Sequence, residues 1–330
     1  WVGEEMFETF SKDQPQWIHS PVGHLGNGPS GVTCVTGETL PADVKNSFLM
    51  TDYKGSPSKC KVWIAKLKEK GAGFKLASSK TLVDNVGISD VAQGYDGNLY
   101  FADYGGGWSV NKNGSVQVIR PKDKELKRAG KAVAQLMTDG FSHRSLPELS
   151  ALLGHADQRI RQAAQFAMVE KGELAVAKLN EILGDKEFSL LAILHSIWGL
   201  GQLARNGYSE SVTPLILNML ENKEIEIRAN AARVAGSSNL LKLGSSLLEL
   251  LKDPSPRVAS LAALSLGRIG SKSDPLLVST ILRSVEQNKG ADFDPVLRHS
   301  FISALDRIAS PEQLIALAGS ESEEQRLTAV

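Results

Sequence analysis

A β part followed by an α-helical solenoid is the fold class that the sequence predicts. Three observations carry it. Before Pro121 the apolar runs are short, rich in β-formers and separated by glycine-bearing turns. After Lys122 glycine thins out, and Leu and Ala recur at helical spacing. Both halves also repeat themselves, with different periods.

The predicted strands, in order, are 32–35 (VTCV), 47–51 (SFLMT), 61–67 (KVWIAKL), 74–76 (FKL), 88–92 (ISDVA), 98–102 (NLYFA) and 115–119 (SVQVI). Asp96-Gly97 reads as a type I′ hairpin, in which both central residues take φ > 0, and Asn113-Gly114 reads as a second tight hairpin. The segment SFLMTDYKG at 47–55 resembles LYFADYGG at 99–106, with Asp52-Tyr53 matching Asp103-Tyr104. A period of about 50 residues with several strands per unit suggests the blades of a β-propeller, which closes its ring with at least about four blades. Residues 1–120 supply two and a bit. They are therefore expected to be the last blades of a propeller whose upstream blades lie elsewhere, because a bare piece would leave sheet edges open.

Residues 121–144 read as a charged linker and a first helix, and 145–330 as stacked helix pairs. One phase-equivalent position per pair falls at Arg161, Ile193, Arg228, Ala259, Arg298 and Arg326, at intervals of 32, 35, 31, 39 and 28 residues. Such intervals suit helical-pair repeats and not a coiled coil. The second helices are predicted over 161–169, 190–204, 225–235, 258–269 and 296–308, with about five pairs in all. Asp157, Asp253 and Asp294 precede them as candidate caps, and the turn-Asp plus Arg pattern (Asp157 with Arg161, Asp294 with Arg298) resembles HEAT repeats. The last unit stops inside its second helix, so the solenoid is expected to continue beyond Val330.

Bulk properties exclude several classes. Lys plus Arg and Asp plus Glu number 37 each, so the whole chain has no basic field to attract nucleic acid. No stretch is long and apolar enough to predict a membrane span. Cys34 and Cys60 are the only cysteines, with no CxxC, which excludes a zinc site or covalent haem attachment on spacing. They read equally as one disulfide or as two free buried thiols. The chain begins at Trp1 without a visible leader and reads as a piece of a longer protein.

Candidate site residues gather in the β part. Asp52, Lys54, Asp90 and Asp103 stand at strand ends and glycine-rich turns, where a propeller collects side chains around its channel, and where turn residues also bond to backbone. Asp96 belongs to its turn. His19 and His24 form a candidate metal pair in a Gly/Pro-rich loop with no third ligand at matching spacing. Trp108 follows three glycines and reads either as a channel-mouth indole or as part of a hairpin tip. His195 and Trp198 read as core, and Arg268 and Arg307, each nine residues after its repeat anchor, as sharing one concave surface or, more readily, as part of a solvated face. No G-x-S-x-G, P-loop, H-E-x-x-H or complete G-x-G-x-x-G is present.

The order Gly28-Pro-Ser-Gly-Val, Leu40-Pro41, Asn46-Ser-Phe-Leu to Lys54, Asp90-Val91 and Asp96-Gly-Asn-Leu-Tyr to Asp103 resembles the last blades of the soluble quinoprotein glucose dehydrogenase superfamily. With the helical repeats that follow, the whole resembles planctomycete-type "membrane-bound dehydrogenase" proteins, built of a propeller, HEAT repeats and a c-type haem domain. That resemblance implies an extracytoplasmic, periplasmic-type redox protein acting on a sugar or alcohol, with pyrroloquinoline quinone (PQQ) and calcium as cofactors. It places Lys54 and Asp103 at the quinone and the haem in a downstream domain. The arginine positions of the family pattern fall on Gly87 and Ser89, and its catalytic histidine lies in blades this chain lacks. This chain is therefore expected to be inactive by itself. The alternative is a non-enzymatic propeller–HEAT scaffold that binds a protein or glycan, with a sugar-like ligand at Lys54 and Asp103.

Overall fold

The computed structural model describes residues 22–23, 25–106, 113–288 and 294–328. They divide into two compact units, one formed by Val22–Lys68 and Phe74–Ala167 and the other by Met168–Val330 with Glu69–Gly73.

The first unit begins with two small sheets. Strands β1 (Pro29–Val35), β2 (Ser47–Asp52), β3 (Lys61–Lys70) and β4 (Gly73–Asp84) lie in that order in one sheet. β5 (Ile88–Gln93), β6 (Leu99–Asp103) and β7 (Ser115–Ile119) form the other. β1–β2, β2–β3, β5–β6 and β6–β7 are antiparallel, and both sheets follow chain order as meanders. Alternate residues of β2 and β6 turn Leu49, Leu99 and Phe101 inward, where they join Val35, Val62, Ile64, Ile88 and Val91 in one apolar core between the sheets.

Thr51 and Gln93 staple the sheets together. The Thr51 hydroxyl accepts from Gly31 N–H at 2.7 Å and lies 3.1 Å from Ser89 O. The Gln93 amide accepts from Thr36 N–H and donates to Thr36 O, both at 3.0 Å. These strands and sheets stand as small antiparallel layers; no closed ring or barrel is formed among the described residues.

Both hairpins differ from the sequence expectation. At Asp96-Gly97 only Gly97 has positive φ (80°). Gly97 N–H returns to Gly94 O at 3.1 Å and Gly94 N–H to Asn98 O at 2.9 Å. This is the longer loop in which a type I turn precedes one left-handed glycine, so Asp96 is spared the left-handed conformation of a type I′ turn. Asn113-Gly114 makes no two-residue turn. The β6–β7 pairing already runs to Asp103 opposite Ser115, which leaves residues 104–114 as one long connection.

The same unit carries α1 (Lys124–Asp139), α2 (Leu146–Leu152) and most of α3 (Gln158–Val169). The Asp123 carboxylate caps α1 by accepting from Glu125 N–H and Leu126 N–H. Gly130 of α1 meets the β5–β6 turn so closely that a Cβ would stand 2.2 Å from Asp96 O. At α3, Asp157 is clamped by Arg159 (Nε–Oδ1 2.9 Å, Nη2–Oδ2 2.7 Å), and its charge also acts on Arg161. Arg159 also donates to Gln93 O and Gly94 O and lies over the Tyr95 ring.

In the second unit follow α4 (Glu173–Gly184), α5 (Leu190–Leu203), α6 (Ser209–Leu220), α7 (Ile225–Ser237), α8 (Gly244–Glu249), α9 (Pro256–Ile269), α10 (Pro275–Gln287), α11 (Pro295–Ile308), α12 (Pro311–Ala318) and α13 (Glu323–Thr328). The second helices stack in series, α5 on α7, α7 on α9, and α9 on α11. No strand interrupts residues 145–328 among those described.

Three of the predicted phase-equivalent positions make the same bond. Nη1 of Arg161 donates to His155 O and Ala156 O, that of Arg228 to Asn222 O and Lys223 O, and that of Arg326 to Ser320 O and Glu321 O. Each arginine thereby satisfies carbonyls of the turn that joins its helix pair. Small residues set the approach between stacked helices: a Cβ on Gly201 would stand 2.8 Å from Val234, and one on Gly236 2.4 Å from Ser265 Oγ.

Asp294 caps α11 as expected, accepting from Val296 N–H and Leu297 N–H. Asp253 does not cap α9. Its carboxylate pairs with Arg228 of the preceding repeat. The cysteines are both free, with Cys60 buried and Cys34 exposed, so neither the disulfide nor the two buried thiols is found.

Candidate functional site

The β-part candidates sit where β2 and β6 end. Asp52 is fully buried. Its Oδ1 accepts from Gly28 N–H at 2.8 Å and Asn27 N–H at 3.2 Å, and its Oδ2 faces Lys54 Nζ at 3.0 Å. The loop can wrap the carboxylate only because it is glycine. A Cβ on Gly26, which has φ of +80°, would overlap Asp52 Oδ2, and one on Gly28 would stand 2.2 Å from Tyr53 O. Burial pushes the Asp52 pKa up, but the Gly28 N–H, the Lys54 ammonium and the Trp63 indole outweigh it and hold the carboxyl below its ordinary value.

Asp103 is half-buried, and its Oδ1 accepts from Gly105 N–H at 2.8 Å. Among the described residues no hydrogen bond or ion pair joins it to Lys54. The two matched dipeptides do converge through their aromatic members. The rings of Tyr53 and Tyr104 meet edge to face at 5.8 Å, and the Tyr53 hydroxyl donates to Gly106 O at 2.8 Å. Burial first, then the neighbouring Cys60, Tyr104 and Asp103, raise the Tyr53 pKa.

Gly87 and Ser89 line the same strand end. A Cβ on Gly87 would stand 3.3 Å from Asp103 Oδ1, and Ser89 Oγ donates to Ala102 O. Asp90 is exposed, and its carboxylate accepts from Val91 N–H. The Asp96 carboxylate is occupied within its own turn by Asn98 and the Tyr100 hydroxyl. His19, His24 and Trp108 lie outside the described residues. No group of three or more His, Cys, Asp or Glu able to hold a metal is found among the described residues.

In the solenoid, His195 is buried and meets Trp198 edge to face at 4.7 Å, as a core pair would. Trp198 Nε1 then donates to Asn230 Oδ1 at 2.9 Å across to α7. Asn230 donates to Glu226 O, and Glu226 pairs with Arg257 of α9 at 2.6 Å. This chain crosses three repeats. Sequence reasoning missed it, because its links between repeats join residues 31 and 32 apart that share no motif.

One stripe of each second helix faces solvent. It ends in Gln202 of α5 and Arg205 just beyond it, in Arg233 and Ser237 on α7, in Arg268 on α9 and in Arg307 on α11. Arg268 and Arg307 are neighbours, since Arg307 Cδ lies 3.4 Å from the place of a Cβ on Gly267. No ion pair engages Arg205, Arg233, Arg268 or Arg307 among the described residues.

Residues 212–291 match the family model of HEAT repeats, spanning most of α6 through α10. Similar solved structures include an engineered protein, at 16% identity and TM-score 0.33 over 56% of this chain and 94% of that one. Another is a designed armadillo repeat protein in complex with the peptide (KR)4, at 18% identity and TM-score 0.34 over 56% of this chain and 97% of that one. No curated protein matches the chain. Among the described residues no helix is long and apolar enough to cross a membrane.

Proposed function

We propose that this chain is a binding scaffold, in which HEAT-type repeats present the open stripe of their second helices to a protein partner. The observation that carries this reading is the stacked series α5, α7, α9 and α11. Most of each helix is buried by packing, and what is left to solvent includes the exposed Arg205 just beyond α5, Arg233 on α7, Arg268 on α9 and Arg307 on α11. Repeats of this kind bind along such continuous surfaces.

The quinoprotein reading draws support from the meeting of the two repeat units at Tyr53 and Tyr104 and from their meander sheets, which consecutive propeller blades would share. The residues present do not fit PQQ. Lys54 is committed to Asp52, and Gly87 and Ser89 supply no cation for the quinone carboxylates. A sugar-like ligand at the β2 and β6 ends suits these groups better.

Affinity capture from the source cells followed by cross-linking mass spectrometry tests the scaffold. A protein partner cross-linked along α5, α7, α9 and α11 upholds it. Saturable quinone absorbance on titration with PQQ and calcium, abolished by Lys54→Ala, would instead establish the dehydrogenase reading.

A further inference from the structure

We infer that the partner segment is an extended acidic peptide, laid across the solvent stripe of α5, α7, α9 and α11 with its carboxylates on Arg205, Arg233, Arg268 and Arg307. The inference rests on the scaffold reading and names the chemistry of its partner.

Charge is the first reason. The four arginines are exposed, none has an ion-pair partner among the described residues, and each comes from a different repeat. Glu226 of α7 is already neutralised by Arg257 at 2.6 Å. The chain as a whole is neutral, so this row is a local concentration of positive charge. A guanidinium prefers a carboxylate, which it can hold by two parallel hydrogen bonds.

Spacing is the second. Packed helices lie about 8–10 Å apart, and an extended chain advances about 3.3 Å per residue. A strand running across the stack therefore crosses one repeat about every third residue, and Arg268 and Arg307 stand at the same place in successive repeats. Register is supported where it can be read: Arg307 lies against the backbone of Gly267 beside Arg268, and Arg205 reaches α7 by donating to Ser238 Oγ at 2.9 Å.

The third reason separates a peptide from a nucleic acid. Between the arginines the stripe exposes parts of Trp198, Leu261 and Leu264, which suit apolar side chains of the intervening residues.

Fluorescence anisotropy on the full chain tests this with a labelled peptide that has Glu at every third position and Leu and Ala between. The comparison probes are the same peptide with Lys for Glu and an oligouridine. The acidic peptide is expected to bind best, to weaken as salt rises, and to lose about tenfold in affinity in Arg268→Glu/Arg307→Glu. Lys186→Glu/Lys223→Glu, an equal charge change in inter-helix turns, should leave it unaltered. Equal binding of the Lys peptide, an unchanged double variant with an unchanged melt, or tighter binding of oligouridine would overturn the inference. Cross-links from a captured partner to the second helices that persist in Arg268→Glu/Arg307→Glu would sink the arginine row while leaving the scaffold standing.

Discussion

Arg228 and Asp253, 25 residues apart, form a two-point ion pair with Nε–Oδ2 at 2.8 Å and Nη2–Oδ1 at 3.1 Å. The third nitrogen of the same guanidinium closes the turn of its own repeat on Asn222 O and Lys223 O. One side chain thus ties a turn to the next repeat, and the attraction to Asp253 raises its pKa. Arg228→Ala should cost about 3 kcal/mol, because Asp253 is left largely buried without its counter-charge. Arg228→Lys should recover little, since an ammonium cannot reproduce the fork. Urea denaturation measures both.

Two glycines of the solenoid should answer substitution with opposite signs. At Gly236 a Cβ would stand 2.4 Å from Ser265 Oγ and 2.6 Å from Ser265 Cα, so Gly236→Ala is expected to cost about 1–3 kcal/mol by overpacking. At Gly244 the backbone is helical (φ −56°) and nothing lies within 4 Å. Gly244→Ala should stabilise by about 0.4–1 kcal/mol, chiefly through the unfolded chain. Thermal melts of the two variants check the contrast.

Asp52 predicts acid sensitivity. Its pKa is lower folded than unfolded, so its contribution is in place above the ordinary value of 3.8 and is lost as pH falls through the folded value. Asp52→Asn should cost about 1.5–3 kcal/mol at neutral pH, because the amide cannot accept from Gly28 and Asn27 while pairing Lys54. The gap between wild type and variant should close below pH 3.8. A gap that stays constant from pH 6 to below 3 would show that the charge is not what holds the loop.

His155 acts in the same direction as Asp52, at a higher pH. Burial depresses its pKa below the ordinary 6.5, against the pull of Asp157, and its Nδ1 accepts from Asp157 N–H at 3.0 Å. The unfolded chain therefore takes up a proton first, and stability should fall as pH drops below 6.5 towards the folded value. His155→Asn should remove that slope. Chemical denaturation between pH 5 and 8 reads it directly.

The sequence by itself determined the periodic parts of this protein. Strands at 47–51 and 115–119 and the five second helices stand where the patterns placed them, because side-chain period follows from backbone geometry alone. The arginine anchors at 161, 228 and 326 were legible for the same reason: one repeat unit imposes one local bond each time. Turn chemistry was half legible. Gly97 takes the left-handed conformation that glycine permits, but loop length put Asp96 outside it. Only the tertiary structure decided which charges meet. Asp253 lies with Arg228 and Glu226 with Arg257, while the four arginines of the solvent stripe form no ion pair among the described residues. Ion pairing depends on which side chains the stacking of helices brings within a few ångströms, and residue identity and spacing along the chain do not contain that distance.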